Sequence, residues 1–116
     1  MSLHDEQVKT SELTLDDFLG RQLRCYKNKV KHGFNVTDFH KEARFILKEV
    51  SELMLAIEHN DLENLMEELA DIVIFSYGLA EMAHGNLDSA VFKKMAINES
   101  RKYTRNELGD FVKVEE

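Results

Sequence analysis

The sequence predicts an all-α fold, a helical bundle of about four helices that is completed by homo-oligomerisation. The 116 residues include no proline, a residue that sheet-and-loop proteins usually place in several turns. Apolar side chains recur at helical spacing in four successive segments. The hydrophobic fraction of 43% suits one globular domain better than a disordered chain. We therefore expect a flexible N-terminal lead over 1–13, a helical domain over 14–103 and a C-terminal tail over 104–116.

The first two helices have clear start signals. Thr14 resembles an N-cap followed by acidic residues, and the helix it begins is predicted to run to about Lys31. Residues 32–35 interrupt the pattern, and a second helix is expected from Thr37 or Asp38 to a break at 60–61. The residues predicted to face inward from this helix are Phe39, Ala43, Ile46, Leu47, Val50, Leu53, Met54 and Ile57.

The third helix is predicted from about Leu62 to Ala83, and Gly85 is suited to a left-handed C-cap after it. Its expected inward residues are Leu65, Leu69, Ile72, Val73, Ser76, Leu79 and Ala80. The fourth helix is predicted from about Leu87 to Tyr103, and residues 111–114 alternate like a short strand or have no regular structure. Helices two and three are apolar over more than a narrow stripe, which favours a homo-oligomer.

Charge and composition exclude several classes of protein. Fifteen basic and twenty-two acidic side chains give a net charge of −7, opposite to what a general nucleic-acid binder needs. No apolar run approaches the ~18 residues of a membrane span, and no signal peptide opens the chain. The single cysteine cannot form an internal disulfide, which favours a reducing compartment. We expect a cytoplasmic protein with neither a nucleic-acid polymer nor a membrane as partner.

Two pairs of acidic residues are the most informative feature. Glu49 and Glu52 are three residues apart on helix two, and Glu68 and Asp71 have the same spacing on helix three. This spacing places each pair on one helix face. At ~100° per residue both pairs fall on an edge between the apolar and solvent arcs. Desolvated, clustered anions repel one another, and Mg²⁺ or Mn²⁺ relieves the repulsion through oxygen ligands. The alternative is a solvated acidic surface.

The fourth helix offers complementary chemistry. Lys94, Asn98 and Arg101 follow one another at i, i+4 and i+7, on the side predicted to face inward. Cations on an inward side usually meet anions. These residues are therefore candidates for binding phosphate groups beside a metal, the alternative being cations that extend along the bundle or bridge to glutamates of a neighbour.

Other residues give weaker signals. His32 and Phe34, between helices one and two, are candidates for stacking on or hydrogen-bonding a base, although a loop anchored by Phe34 explains them equally well. Lys27, Lys29 and Lys31 are expected on a solvated face, with a role near phosphate as the minor alternative.

Cys25 is expected to be a small buried residue rather than a nucleophile. Glu81 and His84 match half of the motif of di-iron bundles, but no second copy of that motif exists. Glu81 is predicted to face outward.

These segments together resemble the MazG-like family of all-α nucleoside triphosphate pyrophosphohydrolases. The resemblance covers roughly residues 15–103. It depends on the segments 49–52, 67–73 and 94–103 in that order, with 32–34 resembling the family's connection between its first two helices.

The resemblance implies Mg²⁺-dependent hydrolysis of a ribo- or deoxyribonucleoside triphosphate to the monophosphate and pyrophosphate, as in cleaning of the nucleotide pool. It implies that the metal is held by Glu49, Glu52, Glu68 and Asp71. The residues it places at the phosphates are Lys94, Asn98 and Arg101, and it gives Glu49 or Glu52 the attacking water to orient or deprotonate.

The resemblance also implies dimers, or dimers of dimers, with a site partly built from a second chain. The chain lacks the tryptophan that many relatives place near the base. Phe34, Phe75 or Tyr77 is the expected substitute.

Two other functions fit the same residues. One is a regulatory or interaction module that binds nucleotide without hydrolysing it. The other is phosphoribosyl-ATP pyrophosphatase of histidine synthesis, a related all-α enzyme.

Overall fold

The computed structural model describes residues 20–115, which form four helices and one β-hairpin. The helices are α1 (Arg21–Lys31), α2 (Phe39–Glu58), α3 (Leu62–Met82) and α4 (Leu87–Ser100), and the strands are β1 (Tyr103–Arg105) and β2 (Phe111–Lys113). The predicted all-α class is confirmed. The predicted lead over 1–13 and the start of helix one at Thr14 lie outside the described residues.

Three helices begin at a side-chain cap. Asp38, Asp61 and Asn86 precede α2, α3 and α4, and each accepts a hydrogen bond from the backbone N–H three residues ahead at 3.0–3.1 Å. Such caps satisfy one of the free N–H groups of the first turn. The chain therefore starts each of these helices at a residue that the local sequence specifies.

The left-handed residue lies one place after the C-cap in α1, α2 and α3. These residues are Gly33, Asn60 and His84, with φ of 70°, 52° and 58°. The prediction that Gly85 takes this conformation was wrong. His84 takes it instead, and the N–H of Gly85 then reaches the carbonyl of Ala80 at 2.9 Å, the bond pattern of a Schellman ending.

Helix α4 ends at Ser100 rather than at the predicted Tyr103. The backbone of Arg101 is already extended, with ψ of 148°, and the chain continues into β1. This strand pairs antiparallel with β2, so of the two alternatives left open for residues 111–114 the short strand is the one observed. Asn106 organises the connecting turn by accepting hydrogen bonds from the N–H groups of Leu108 and Asp110.

The helices pack unequally. Helices α2 and α3 lie side by side, α1 packs on α3, and α4 makes few contacts with the other three. Among the described residues, the buried apolar side chains are Ala56, Tyr77 and Met82. Such a core is small for this apolar content, so much of the apolar surface remains uncovered within one chain.

Several residues predicted to face inward are exposed, and those predictions were wrong for a single chain. Leu47, Met54 and Ile57 on α2 and Leu69 and Val73 on α3 are all at least 39% exposed. The two helices instead meet along the neighbouring edge. There the rings of Phe45 and Phe75 lie 5.7 Å apart. Part of the apolar arc of each helix therefore lies on the outer surface of a single chain.

A buried ion pair joins three helices. Lys29 of α1 contacts Glu42 of α2, a side chain with no exposed surface. Asn35 donates a second hydrogen bond to Glu42 at 2.9 Å. Lys29 crosses α3 at Gly78, where a Cβ atom would lie 2.9 Å from the lysine Cδ. Glycine at this position thus makes room for the lysine stem.

The prediction of a solvated face was wrong for Lys29 and correct for Lys27 and Lys31, which are exposed. Residues two positions apart on a helix point in nearly opposite directions, since each residue turns by ~100°. Lys29 therefore points toward the helices while its two neighbours in the lysine series remain in solvent.

Glu42→Gln is expected to lower the free energy of unfolding by about 3 kcal/mol, because it leaves the ammonium of Lys29 buried without an opposite charge. Glu58→Gln removes an exposed charge from the same helix and is expected to change stability by less than about 0.5 kcal/mol. Urea unfolding followed by circular dichroism measures both. Equal stability of the two variants would contradict the role given to this ion pair.

Candidate functional site

Three carboxylates from two helices converge at the contact between α2 and α3. Glu49 of α2 and Glu68 and Asp71 of α3 each offer an oxygen atom, and these atoms all lie within 4.8 Å of one another. The i, i+3 spacing on α3 brings Glu68 and Asp71 to one face. Glu49 lies on the side of α2 that packs against α3, opposite Glu68 and Asp71. The structure thus brings together three of the four acidic residues that the sequence singled out.

Two of these carboxylates have no donor for a buried oxygen. The Oε2 atoms of Glu49 and Glu68 are buried and receive no hydrogen bond in the described part of the chain. A buried acceptor without a partner is costly, and more so when it is charged. Hard carboxylate oxygens at this separation suit Mg²⁺ or Mn²⁺, so the donor set fits a divalent cation.

Neighbouring acids change the acidity of Glu49. Its contact with Glu68, followed by burial and its contact with Glu52, raises the pKa of Glu49 from its ordinary value to about 7. Glu52 therefore lies beside Glu49, although it does not belong to the group of three oxygens within 4.8 Å. The four predicted acids form one cluster, in which three are close and Glu52 lies at the margin.

The residues predicted to bind phosphate lie on a helix that packs little. Lys94 and Asn98 are exposed on α4, and Arg101 donates a hydrogen bond to the Asn98 side chain at 3.2 Å. Within the described residues, no hydrogen bond or ion pair joins these three to the acidic cluster. The side of α4 predicted to face inward is exposed in one chain.

The predicted base-binding residues are close together. The rings of His32 and Phe34 stack at 5.3 Å, and both side chains are exposed. Tyr77 and Phe75 are engaged elsewhere: the Tyr77 hydroxyl donates to Asp88 at 2.5 Å, and Phe75 packs on Phe45. Of the three aromatic residues considered for a base, Phe34 has the freest ring.

A cavity of about 960 Å³ lies between α1 and α3. Its lining includes Phe34 and Asp71, so it extends to the acidic cluster. Sequence reasoning did not find this cavity, because the contact between α1 and α3 depends on the long-range pairing of Lys29 with Glu42. The signal available in the sequence was the set of basic residues on α1.

Two weaker expectations have different outcomes. Cys25 is partly buried, and burial raises the pKa of its thiol, as a small packed residue requires and unlike an activated nucleophile. The prediction that Glu81 faces outward was wrong, since it is half-buried and its Oε2 atom lies out of contact with solvent.

The fold and this site agree with a known family. A sequence model of the MazG nucleotide pyrophosphohydrolase domain matches residues 38–103, a range that contains all four acids and Lys94, Asn98 and Arg101. The chain belongs to this family. No curated protein matches it significantly. Over the described residues, every helix is too short or too polar to cross a membrane.

Glu68→Gln is expected to stabilise the metal-free protein by about 1 kcal/mol at pH 8, a value reduced for solvent screening. The fold raises the pKa of Glu49 to about 7. The folded state therefore loses stability as the pH rises to about 7 and Glu49 loses its proton. The glutamine removes one charge and donates a hydrogen bond to Glu49.

The matched control is Glu67→Gln, which neutralises the exposed neighbour on α3. Thermal unfolding in a chelator at pH 8 compares both variants with the wild type. A Glu68→Gln protein less stable than the control would contradict repulsion within the cluster.

Proposed function

We propose that this chain is a Mg²⁺-dependent pyrophosphohydrolase that converts a nucleoside triphosphate to the monophosphate and pyrophosphate. The main support for this proposal is the cluster of Glu49, Glu68 and Asp71. Two buried oxygens of this cluster receive no hydrogen bond from the described residues. Family membership supports the same reaction class. The substrate class and the metal are our proposal.

Glu49, Glu68 and Asp71 would hold the metal. When bound, Mg²⁺ acts as a Lewis acid at phosphate oxygens and orients the triphosphate. The three carboxylates share a single short-range cluster on two packed helices, so little rearrangement is needed to present their oxygens. Mn²⁺ satisfies the same oxygen preference.

Glu52 is the carboxylate that we propose to orient and deprotonate the attacking water. It contacts Glu49 but lies at the margin of the three close oxygens, which leaves its own oxygens available. The water oxygen bonds to a phosphorus of the α–β anhydride while the bond from that phosphorus to the bridging oxygen breaks. The proton passes to the carboxylate, and pyrophosphate leaves.

Lys94, Asn98 and Arg101 are proposed to contact the phosphates in an assembled homodimer or dimer of dimers. The exposure of Lys94 and Asn98 on α4 and the uncovered apolar face of α2 support an arrangement that uses a second chain. Fixed cations there would offset charge on the departing pyrophosphate. His32 and Phe34 are proposed to contact the base.

Glu52→Gln and Asp71→Asn are each expected to lower kcat/KM by at least about 100-fold, equivalent to about 2.7 kcal/mol of lost transition-state stabilisation. Purified protein is incubated with Mg²⁺ and a panel of ribo- and deoxyribonucleoside triphosphates, with phosphoribosyl-ATP included. Monophosphate and pyrophosphate are then quantified.

Glu67→Gln, with its exposed side chain, is the control and should retain wild-type turnover. Turnover by both site variants would contradict the proposed metal and water residues. Tight nucleotide binding without hydrolysis would select the regulatory module instead. Hydrolysis confined to phosphoribosyl-ATP would select that pyrophosphatase.

A mixing experiment tests whether α4 acts across subunits. Asp71→Asn and Arg101→Gln proteins, each expected to be inactive alone, are unfolded and refolded together. If one chain supplies the acids and the other supplies Arg101, a random mixture of dimers regains about a quarter of wild-type activity. In the control experiment, Lys93→Gln takes the place of Arg101→Gln. Lys93 is exposed on α4, and this variant should be active without mixing. No recovery would place Arg101 and the acids in the same chain.

A further inference from the structure

We infer that the α1 wall of the cavity is a polyphosphate-binding surface formed by Arg24, Lys27 and Lys31. This inference rests on the proposed function and extends it to residues outside the segment that matches the family. Asp71 of α3 lines the same cavity as these cations. The ligand of this surface is the phosphate chain of the nucleotide substrate.

The charge of α1 is the first observation. The helix carries five basic side chains and no acidic one, in a chain whose net charge is −7. All five basic residues line the cavity. Five of the fifteen basic residues of an acidic protein thus lie at one cavity wall, and such a local excess of cations creates a positive potential there.

The second observation is which cations already have partners. Lys29 is neutralised by Glu42, and Arg21 lies 3.8 Å from Asp88. Across residues 20–115, Arg24, Lys27 and Lys31 form no ion pair. They occur at i, i+3 and i+7, a spacing that aligns side chains along one side of a helix. Three aligned cations are therefore available for an anion.

The third observation is what lies across the cavity. The α3 wall is mainly apolar, with Leu69 and Val73 among its residues, and Asp71 joins it to the acidic cluster. Apolar walls lower the local dielectric and strengthen contacts between cations and phosphate. A phosphate chain has the length and charge to meet both the cations of α1 and a cation held by the carboxylates.

The test compares two double variants with the same net charge. Lys27→Gln/Lys31→Gln alters the cavity wall, while Lys41→Gln/Lys48→Gln removes two exposed charges from α2 that do not line the cavity. Magnesium tripolyphosphate is titrated into each protein in a calorimeter. We expect the α1 variant to bind at least 10-fold more weakly than wild type, and the α2 variant within about 2-fold of it, because distant exposed charges are screened.

Cys25 provides a second measurement inside the cavity. It is the one cysteine of the chain and belongs to the α1 wall. Magnesium tripolyphosphate should slow its alkylation by N-ethylmaleimide at least 3-fold in the wild type and the α2 variant, and not in the α1 variant. The reagent is uncharged, so the loss of two lysines does not itself change its attraction to the site.

Three results would overturn the inference: no binding of tripolyphosphate by the wild type, equal affinity in the two double variants, or unprotected Cys25 when tripolyphosphate is bound. Lysine-dependent binding of a single-stranded oligonucleotide in place of tripolyphosphate would also overturn it. The substrate panel separates this outcome from failure of the proposed function. If both double variants hydrolyse the nucleotide with unchanged KM, only the proposed phosphate site on α1 is contradicted. If tripolyphosphate binds in a lysine-dependent way but no nucleotide is hydrolysed, only the proposed enzymatic activity is contradicted.

Discussion

The pairing of Lys29 with Glu42 is the interaction on which the arrangement of the first three helices depends. Glu42 is fully buried, so its negative charge requires a positively charged group within contact distance. Lys29 reaches it across α3 only because Gly78 has no side chain to obstruct the lysine stem. One ion pair therefore fixes α1 against α3 and against the start of α2. It also determines which side of α1 borders the cavity that contains Asp71.

The acidic cluster opposes folding at the same contact between α2 and α3. Glu49 and Glu68 occupy positions where apolar side chains would pack, and each keeps a buried oxygen without a donor in the described residues. A cation would compensate both the desolvation and the repulsion. The two buried charged groups thus differ in kind. The charges of Lys29 and Glu42 neutralise each other within the chain. The carboxylates of Glu49, Glu68 and Asp71 have no cation among the described residues to neutralise them, as expected of a ligand site.

The local part of this structure could be predicted from the sequence. Capping residues and helical spacing predicted four helices and the bounds of α2 and α3, and the i, i+3 pairs predicted converging carboxylates. Long-range choices could not be predicted in this way. Nothing local distinguishes the buried Lys29 from the exposed Lys27, because its partner Glu42 lies thirteen residues away. The inward arcs failed for a related reason, since periodicity identifies an apolar side without saying what covers it.

That failure bears on the architecture of the site. The edges of α2 and α3 that carry the acids face each other, while Leu47, Met54 and Ile57 remain exposed on the adjoining arc of α2. Exposed apolar surface of this extent is costly for an isolated chain, and α4 presents Lys94 and Asn98 without packing them. If the acids lay on the apolar arcs, assembly would bury them beyond reach of substrate. If the apolar residues lay on the acidic edge, the chain would gain a core and lose its cation site. Placing the two functions on adjoining arcs lets a proposed second copy cover one arc while the other stays open to the nucleotide.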